Sequence, residues 1–272
     1  MTDYVESIKD HRKKRRAEFA SDPLSWLNLV GLYWLEEGEN SFGSSPGAKI
    51  SLPQFPQPIS GYFLFQGGKV TVHPSADMTM NGQAVEPRPL FTDKDPKADL
   101  LDVGVLTMKV IVRGADTLIR IWDREAELKK GFDGFNYYPV NSEYKVTAKF
   151  IRYDPPSPAI RIKGIGTEVP TFFMGQARFT LNGEECALEA EESGNELLFN
   201  FKDATNNDAT YGGGRRFYLP PPDGNEIVLD FNLADNWPCA YTPYATCPIP
   251  PRENALKTRV EAGELRFKKS AR

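Results

Sequence analysis

Apolar positions along the chain recur with two periods, and the switch between them divides it. Over residues 2–20, Tyr4, Val5, Ile8, His11, Arg15 and Phe19 fall on one face at helical spacing, and Ser21-Asp22-Pro23 closes the helix. Asp22-Pro23 then supplies an N-cap and a first position for a short turn through Trp26. From Leu29 the period becomes that of strands. LVGLYWL, the turn EEGEN and SFGS predict a hairpin, and ISLP, GYFLFQ, KVTVHP and TMNGQAV follow, each bounded by Gly, Pro, Asn or Asp. VLTMKVIVRGADTLIRIWD reads as two alternating strands joined around Arg113-Gly114-Ala115-Asp116. No helix-length pattern occurs between residues 30 and 123, which predicts an all-β sandwich or small barrel.

Residues 124–140 read as a connector, and a second β-rich region follows. YKVTAKFIRY alternates Tyr144, Val146, Ala148 and Phe150 against Lys145, Thr147 and Lys149. TFFMGQARFTLNGEECALEA is a hairpin turning at Asn182-Gly183. ELLFNFKD, RRFYLP and EIVLDFN are further strands, before a Pro- and aromatic-rich segment, NWPCAYTPYATCPIPPREN. A loop of that length inside a compact domain is unusual and often functional. The predicted chain is therefore mainly β, in four parts. Residues 1–28 are an N-terminal helical segment, 29–123 a β-sandwich and 124–140 a connector. Residues 141–272 form a second β-barrel or sandwich region carrying the Pro-rich loop 233–254.

Composition narrows the function without choosing it. A net charge of −4 gives no electrostatic case for nucleic acid as the main partner. The basic run His11–Arg16 has two readings: an arm for nucleic acid or a membrane surface, or a solvated helix face whose Arg stems cover apolar surface. The N-terminus has no signal-peptide core, no apolar run approaches a membrane span, and three cysteines are too few for a disulfide framework. The expectation is a cytoplasmic chain with no membrane or nucleic-acid partner and with room for a protein partner. Two histidines and three cysteines are a poor soft-ligand set, and Cys239 and Cys247 are spaced too widely for a zinc knuckle, so neither metal nor cofactor is expected.

The chemistry-bearing residues concentrate between Asp203 and Asn254. Gly212-Gly213-Gly214-Arg215-Arg216 resembles an anion cradle of glycine N–H groups and two guanidiniums, although a flexible inter-strand turn would carry the same residues. Asp230 ends an apolar strand, where an unpaired charge is costly. Arg215 or Arg216 on the preceding strand is the expected partner, in a structural salt bridge or around a catalytic acid. Asp203 and Asp230 are the carboxylate candidates for acid/base work, and Cys247 is the thiol candidate if an arginine lies close enough to lower its pKa; a buried loop cysteine is the plainer reading. Tyr211, Tyr218, Tyr241 and Tyr244 would line a pocket with Arg215, Arg216 and Asp230.

TYGGGRRFYLPPP, IVLDFN, CAYTPYATCPIPPREN and AGE, with the early DPLSWLNLVGLYWLEEGENSFGS, resemble the hallmarks of the bacterial, archaeal and fungal family known as domain of unknown function 1684. The resemblance runs from about Asp22 to Glu264, and its most specific run is Cys-Pro-x-Pro-Pro-x-x-Asn. Trp237 stands where that family's pattern leads one to expect Pro. The resemblance implies little chemistry. Residues 38–106 also resemble a forkhead-associated domain in strand and turn order, at Gly43, Ile50, Leu52, Ser60, Asn81-Gly82, Leu101 and Gly104. Ser44 replaces that fold's arginine and Ser60-Gly61-Tyr62-Phe63 lacks its histidine, which implies that phosphopeptide chemistry is lost. The leading function is binding of a small anionic or polar molecule in the C-terminal β-module. A hydrolase using a carboxylate acid/base with Arg stabilisation, and a protein–protein interaction module, are the alternatives. Whether the chain is an enzyme is left open.

Overall fold

In the computed structural model, which describes residues 2–268, the chain is mainly β behind one long helix, α1 (Thr2–Ser21). It divides into two compact units: residues 20–132, and residues 133–272 together with residues 1–19. The helix that the periodicity set apart as its own segment thus belongs by contact to the later module.

The 20–132 unit contains β1 (Leu29–Trp34), β2 (Gly38–Gly43), β3 (Ile50–Ser51), β4 (Gly61–Gln66), β5 (Lys69–Pro74) and β6 (Met78–Met80). It continues with β7 (Gln83–Ala84), β8 (Arg88–Pro89), β9 (Leu101–Val103), β10 (Leu106–Arg113), β11 (Asp116–Asp123) and the short helix α2 (Glu127–Lys130). The strands form a six-stranded sheet in the order β1-β11-β10-β9-β6-β7 and a five-stranded sheet in the order β3-β2-β4-β5-β8. All neighbours are antiparallel except β2 and β3. Alternate residues of both sheets meet in one core, with Phe42, Phe63 and Val72 from one and Met108, Ile119 and Ile121 from the other. This is the sandwich that the strand-period pattern predicted.

The other unit adds β12 (Lys145–Ile162), β13 (Glu168–Leu181), β14 (Glu184–Ser193), β15 (Glu196–Phe201), β16 (Arg215–Leu219), β17 (Glu226–Asp230) and β18 (Asp235–Asn236). They make one antiparallel sheet in the order β17-β12-β13-β14-β15-β16-β18. The order ends at β17 on one side and β18 on the other, so among the described residues the sheet stays open and the barrel alternative is not realised. The hairpin between β13 and β14 turns at Asn182 and Gly183, whose φ values of +52° and +80° are those of the tight turn that Asn-Gly favours.

One face of this sheet carries Ala148, Phe150, Ala177, Phe179, Leu188, Ala190 and Phe199 into the core, where Phe231, Ala234, Val260 and Ala262 cover them. Phe199 stacks on Phe217 with centroids 5.3 Å apart, and Phe231 meets Phe217 edge-on at 5.5 Å.

Beyond Lys149, β12 and β13 run on as a long arm. Here β12 is no longer paired with β17, so Pro155, Pro156 and Pro158 cost no bond on that edge. At the tip, the Pro-rich segment adds to β12: the Gly164 N–H donates to the Cys247 carbonyl and the Ile249 N–H to the Ile162 carbonyl, both at 2.7 Å.

Candidate functional site

Arg215 opens β16 fully buried, and both terminal nitrogens of its guanidinium are taken up by the fold, while Nε has no hydrogen-bond partner among the described residues. One nitrogen donates to Asp203 Oδ2 and to the Val260 carbonyl, each at 2.8 Å, and the other donates to the Ala262 carbonyl. Asp203 in turn accepts from the Thr205 N–H (2.8 Å), the Thr205 hydroxyl (2.6 Å) and the Val260 N–H (3.2 Å). The glycines beside it serve close packing. A Cβ on Gly214, at φ +90°, would sit 2.5 Å from the Phe201 carbonyl oxygen and 2.7 Å from Pro250. Arg216 lies over the Trp237 ring, 3.9 Å from its centroid, and donates to the Asn236 carbonyl.

Neither arginine pairs with Asp230. β16 and β17 follow one another in sequence but stand apart in the sheet, with β12, β13, β14 and β15 between them, so the expected ion pair is sterically out of reach. Asp230 instead accepts from the Tyr4 hydroxyl (2.9 Å), the Asn232 N–H (3.0 Å) and the Asn232 amide (3.1 Å). The carboxylate foreseen as a ligand or catalytic group is an anchor for α1.

Three turns further along α1, Arg15 completes that anchor. Its guanidinium reaches Asp235 at 2.9 Å and Glu264 at 3.0 Å and donates to the hydroxyls of Tyr137 (2.9 Å) and Tyr241 (2.8 Å). The Tyr241 hydroxyl in turn donates a hydrogen bond to Glu264 at 2.8 Å. Phe135 lies against the guanidinium at 4.0 Å. Of the basic run, Arg12 and Arg15 turn inward while Lys13, Lys14 and Arg16 stay exposed, and His11, placed on the buried face by periodicity, is exposed too. Neither Asp235 nor Glu264 had stood out in the sequence. A carboxylate in the short AGE run carries no periodic signal, and its partner lies on a distant helix.

Cys247 is buried, with its sulfur accepting the Cys239 N–H at 3.2 Å. Its hydrogen bond with the Cys239 thiol, and then burial, push its pKa up, so the thiol holds its proton and the nucleophile reading loses its premise. Tyr244 is half-buried beside it in sequence, with its N–H on the Thr242 hydroxyl, and Tyr218 is exposed. Burial lifts the Tyr211 hydroxyl to about 12, and burial with carboxylate neighbours lifts Tyr4 and Tyr241 above the ordinary tyrosine range. The folded pKa values exceed the unfolded value of 10.0, so the stability tied to these protons is complete below pH 10 and is lost as pH rises through it toward 12. We expect cooperative alkaline unfolding that tracks tyrosinate absorbance; tyrosines that ionise at 10 with the circular dichroism spectrum unchanged would contradict it.

The open space of this module lies elsewhere, on the outer face of the sheet along the arm. On β14, Leu188 and Ala190 point to the core, so Glu189 and Glu191 alternate to the other side. Glu191 floors a cavity of about 610 Å³ walled by Arg161, Thr171, Phe173 and the segment Ile249–Glu253. Glu189 lines a second, of about 650 Å³, with Arg152, Tyr153 and Asp154, and the two cavities share Pro158, Phe173 and Glu253. Arg161 Nε holds Glu191 Oε2 at 2.7 Å. Glu191 is 2% exposed, and its Oε1 finds no hydrogen-bond partner among the described residues. Glu189 is held by neutral donors, the Gln176 amide (2.7 Å) and the Tyr153 hydroxyl (3.0 Å). Asn254 fastens the enclosing segment: its amide accepts from the Glu189 N–H at 2.6 Å and donates to the Glu189 and Asn200 carbonyls, each at 2.9 Å.

Of the predicted stretch, only its Pro-rich end, Ile249–Glu253, lines this space. Asp203, Arg215, Arg216, Asp230, Tyr241 and Cys247 do not. Residues such as Glu189 and Glu191 were missed because their burial comes from a loop sixty positions away. The alternation in CALEAEES, apolar on one face and acidic on the other, was the available signal.

A family model described as Protein of unknown function (DUF1684) matches residues 130–265, half of the chain. A solved structure, the solution NMR structure of an uncharacterized protein from Haloarcula marismortui, is similar at 33% identity over 50% of this chain and 78% of that one, with a TM-score of 0.43. No curated protein matches. Among the described residues no helix is long and apolar enough to cross a membrane.

Proposed function

We propose, from the premise that the chain belongs to the family described as Protein of unknown function (DUF1684), that it binds a small polar molecule in the paired cavities along the β12–β13 arm. The family description brings no chemistry with it, so the reading rests on geometry. The observation that carries it is Glu191 Oε1, a buried carboxylate oxygen without a donor among the described residues, in a cavity of about 610 Å³. An unmet acceptor of this kind costs free energy that a bound donor would return. The cavity size falls within the range of small-molecule sites, and its walls mix proline and aromatic surface with a few fixed polar groups, as such sites do.

This moves the site from the Gly-Gly-Gly-Arg-Arg turn to the arm, and it favours polar ligands with donors over anions. A thermal-shift screen over amines, polyols, carboxylates and phosphates tests it. A ligand present at a hundredfold excess over its Kd adds about 2.7 kcal/mol, which for a protein of this size raises the Tm by roughly 5–10 °C. A flat response across all four classes would remove the reading.

A further inference from the structure

We infer that the paired cavities take a linear aliphatic diamine, with one ammonium on Glu191 and the other on Glu189. This rests on the ligand-site reading above and adds the chemistry of the ligand. Three observations lead to it.

The first is the unmatched oxygen. Glu191 Oε2 is occupied by Arg161, while Oε1 meets no donor among the described residues and the side chain is almost fully withdrawn from water. A carboxylate in that position is best satisfied by a cationic donor, since charge-assisted hydrogen bonds are about twice as strong as neutral ones.

The second is the balance of charge. The two cavities are lined by Asp154, Glu189, Glu191 and Glu253 against Arg152, Arg161 and Arg252. Arg152 spends one of its nitrogens on the Pro222 carbonyl, and Glu189 receives only the Tyr153 hydroxyl and the Gln176 amide. A carboxylate held by neutral donors has no counter-charge in those contacts, and a ligand cation would supply one where an anion would add like charge.

The third is spacing. Glu189 and Glu191 are two residues apart on one strand face, which separates them by about 6.8 Å along β14. The ammonium groups of an extended four-carbon diamine stand a similar distance apart. Glu189 lines one cavity, Glu191 the other, and Phe173 is common to both, so the methylene chain would cross Phe173 and the proline surface between the two carboxylates.

Isothermal titration calorimetry on the full chain with four probes of matched length separates the outcomes. Diaminobutane should bind, butylamine should bind more weakly, and butanediol and succinate should not bind. Glu191→Gln should weaken diaminobutane roughly tenfold or more. Glu189→Gln should weaken diaminobutane toward the butylamine value while leaving butylamine itself unchanged, a readout that holds even if the first variant folds poorly. Binding of butanediol or succinate in place of the amines would overturn the diamine and leave the cavity as a site for another class. Silence from all four probes overturns the diamine, and silence in the wider screen removes the site itself.

Discussion

Replacing Arg215 with alanine is expected to lower the unfolding free energy by about 3–5 kcal/mol, the range for stripping one partner from a buried ion pair. The substitution would strip Asp203 Oδ2 of its arginine and take the guanidinium donors from the carbonyls of Val260 and Ala262, all at buried positions. It would also open a void beside Phe201, over which the guanidinium lies at 5.5 Å. Urea denaturation should show the midpoint falling with little change in slope. Arg216→Ala is the contrast: that side chain lies over Trp237 at a half-buried position, and its loss removes a stacking contact without stranding a charge. If the two variants lose equal stability, Arg215 is not the internal tie described above. Asp203→Ala with Arg215→Met, which removes both charges together, should recover much of the loss.

The second large effect is expected at Arg15. Arg15→Ala takes away the one guanidinium shared by Asp235, Glu264, Tyr137 and Tyr241, and a loss of about 3–5 kcal/mol is again expected at neutral pH. Here pH supplies a sharper test. Burial raises the carboxyl pKa of both Asp235 and Glu264, the Arg15 charge is the main influence opposing this for each, and Asp235 raises Glu264 further. Without Arg15 both would be raised more. A carboxyl whose folded pKa lies above its unfolded value contributes stability that is full at low pH and is lost as pH rises through the folded pKa. The variant should therefore be closest to the wild type in mild acid and fall behind it toward neutrality. A deficit that is constant across that range would mean that the two acids do not depend on Arg15 for their charge.

Much of the architecture is legible in the residue pattern, and the places where it fails have local physical reasons. Asn182-Gly183 and the Gly114 turn state their hairpins outright, because few residues tolerate the left-handed backbone those turns require. The helix is equally plain from Tyr4 to Phe19. What periodicity cannot supply is the order of strands in a sheet, and the expected pairing of Asp230 with Arg215 or Arg216 failed for that reason. The end of β12 was hidden for another: prolines at 155, 156 and 158 read as the close of a strand, yet they are tolerated where the edge has no partner. The candidate cavity follows from that extension, so Glu189, Glu191 and Arg161 were out of reach together. A run of charged and apolar letters in a strand says which face each side chain takes, but not which distant loop will lie over it.

The division of the chain has a consequence for how it is made. Residues 1–19 complete a unit whose remaining members begin at residue 133, with a separate module between. A ribosome working at about 5–20 residues per second needs roughly 6–23 s to cross that interval, and longer before Asp230, Asp235 and Glu264 emerge to receive the helix. During that time the intervening sandwich has both of its sheets in hand and can fold, while the nascent helix, carrying Ile8, Phe19 and a line of arginines, has no surface to join. Vectorial synthesis thus leaves an amphipathic cationic segment waiting, open to a ribosome-bound chaperone until the residues beyond 133 arrive.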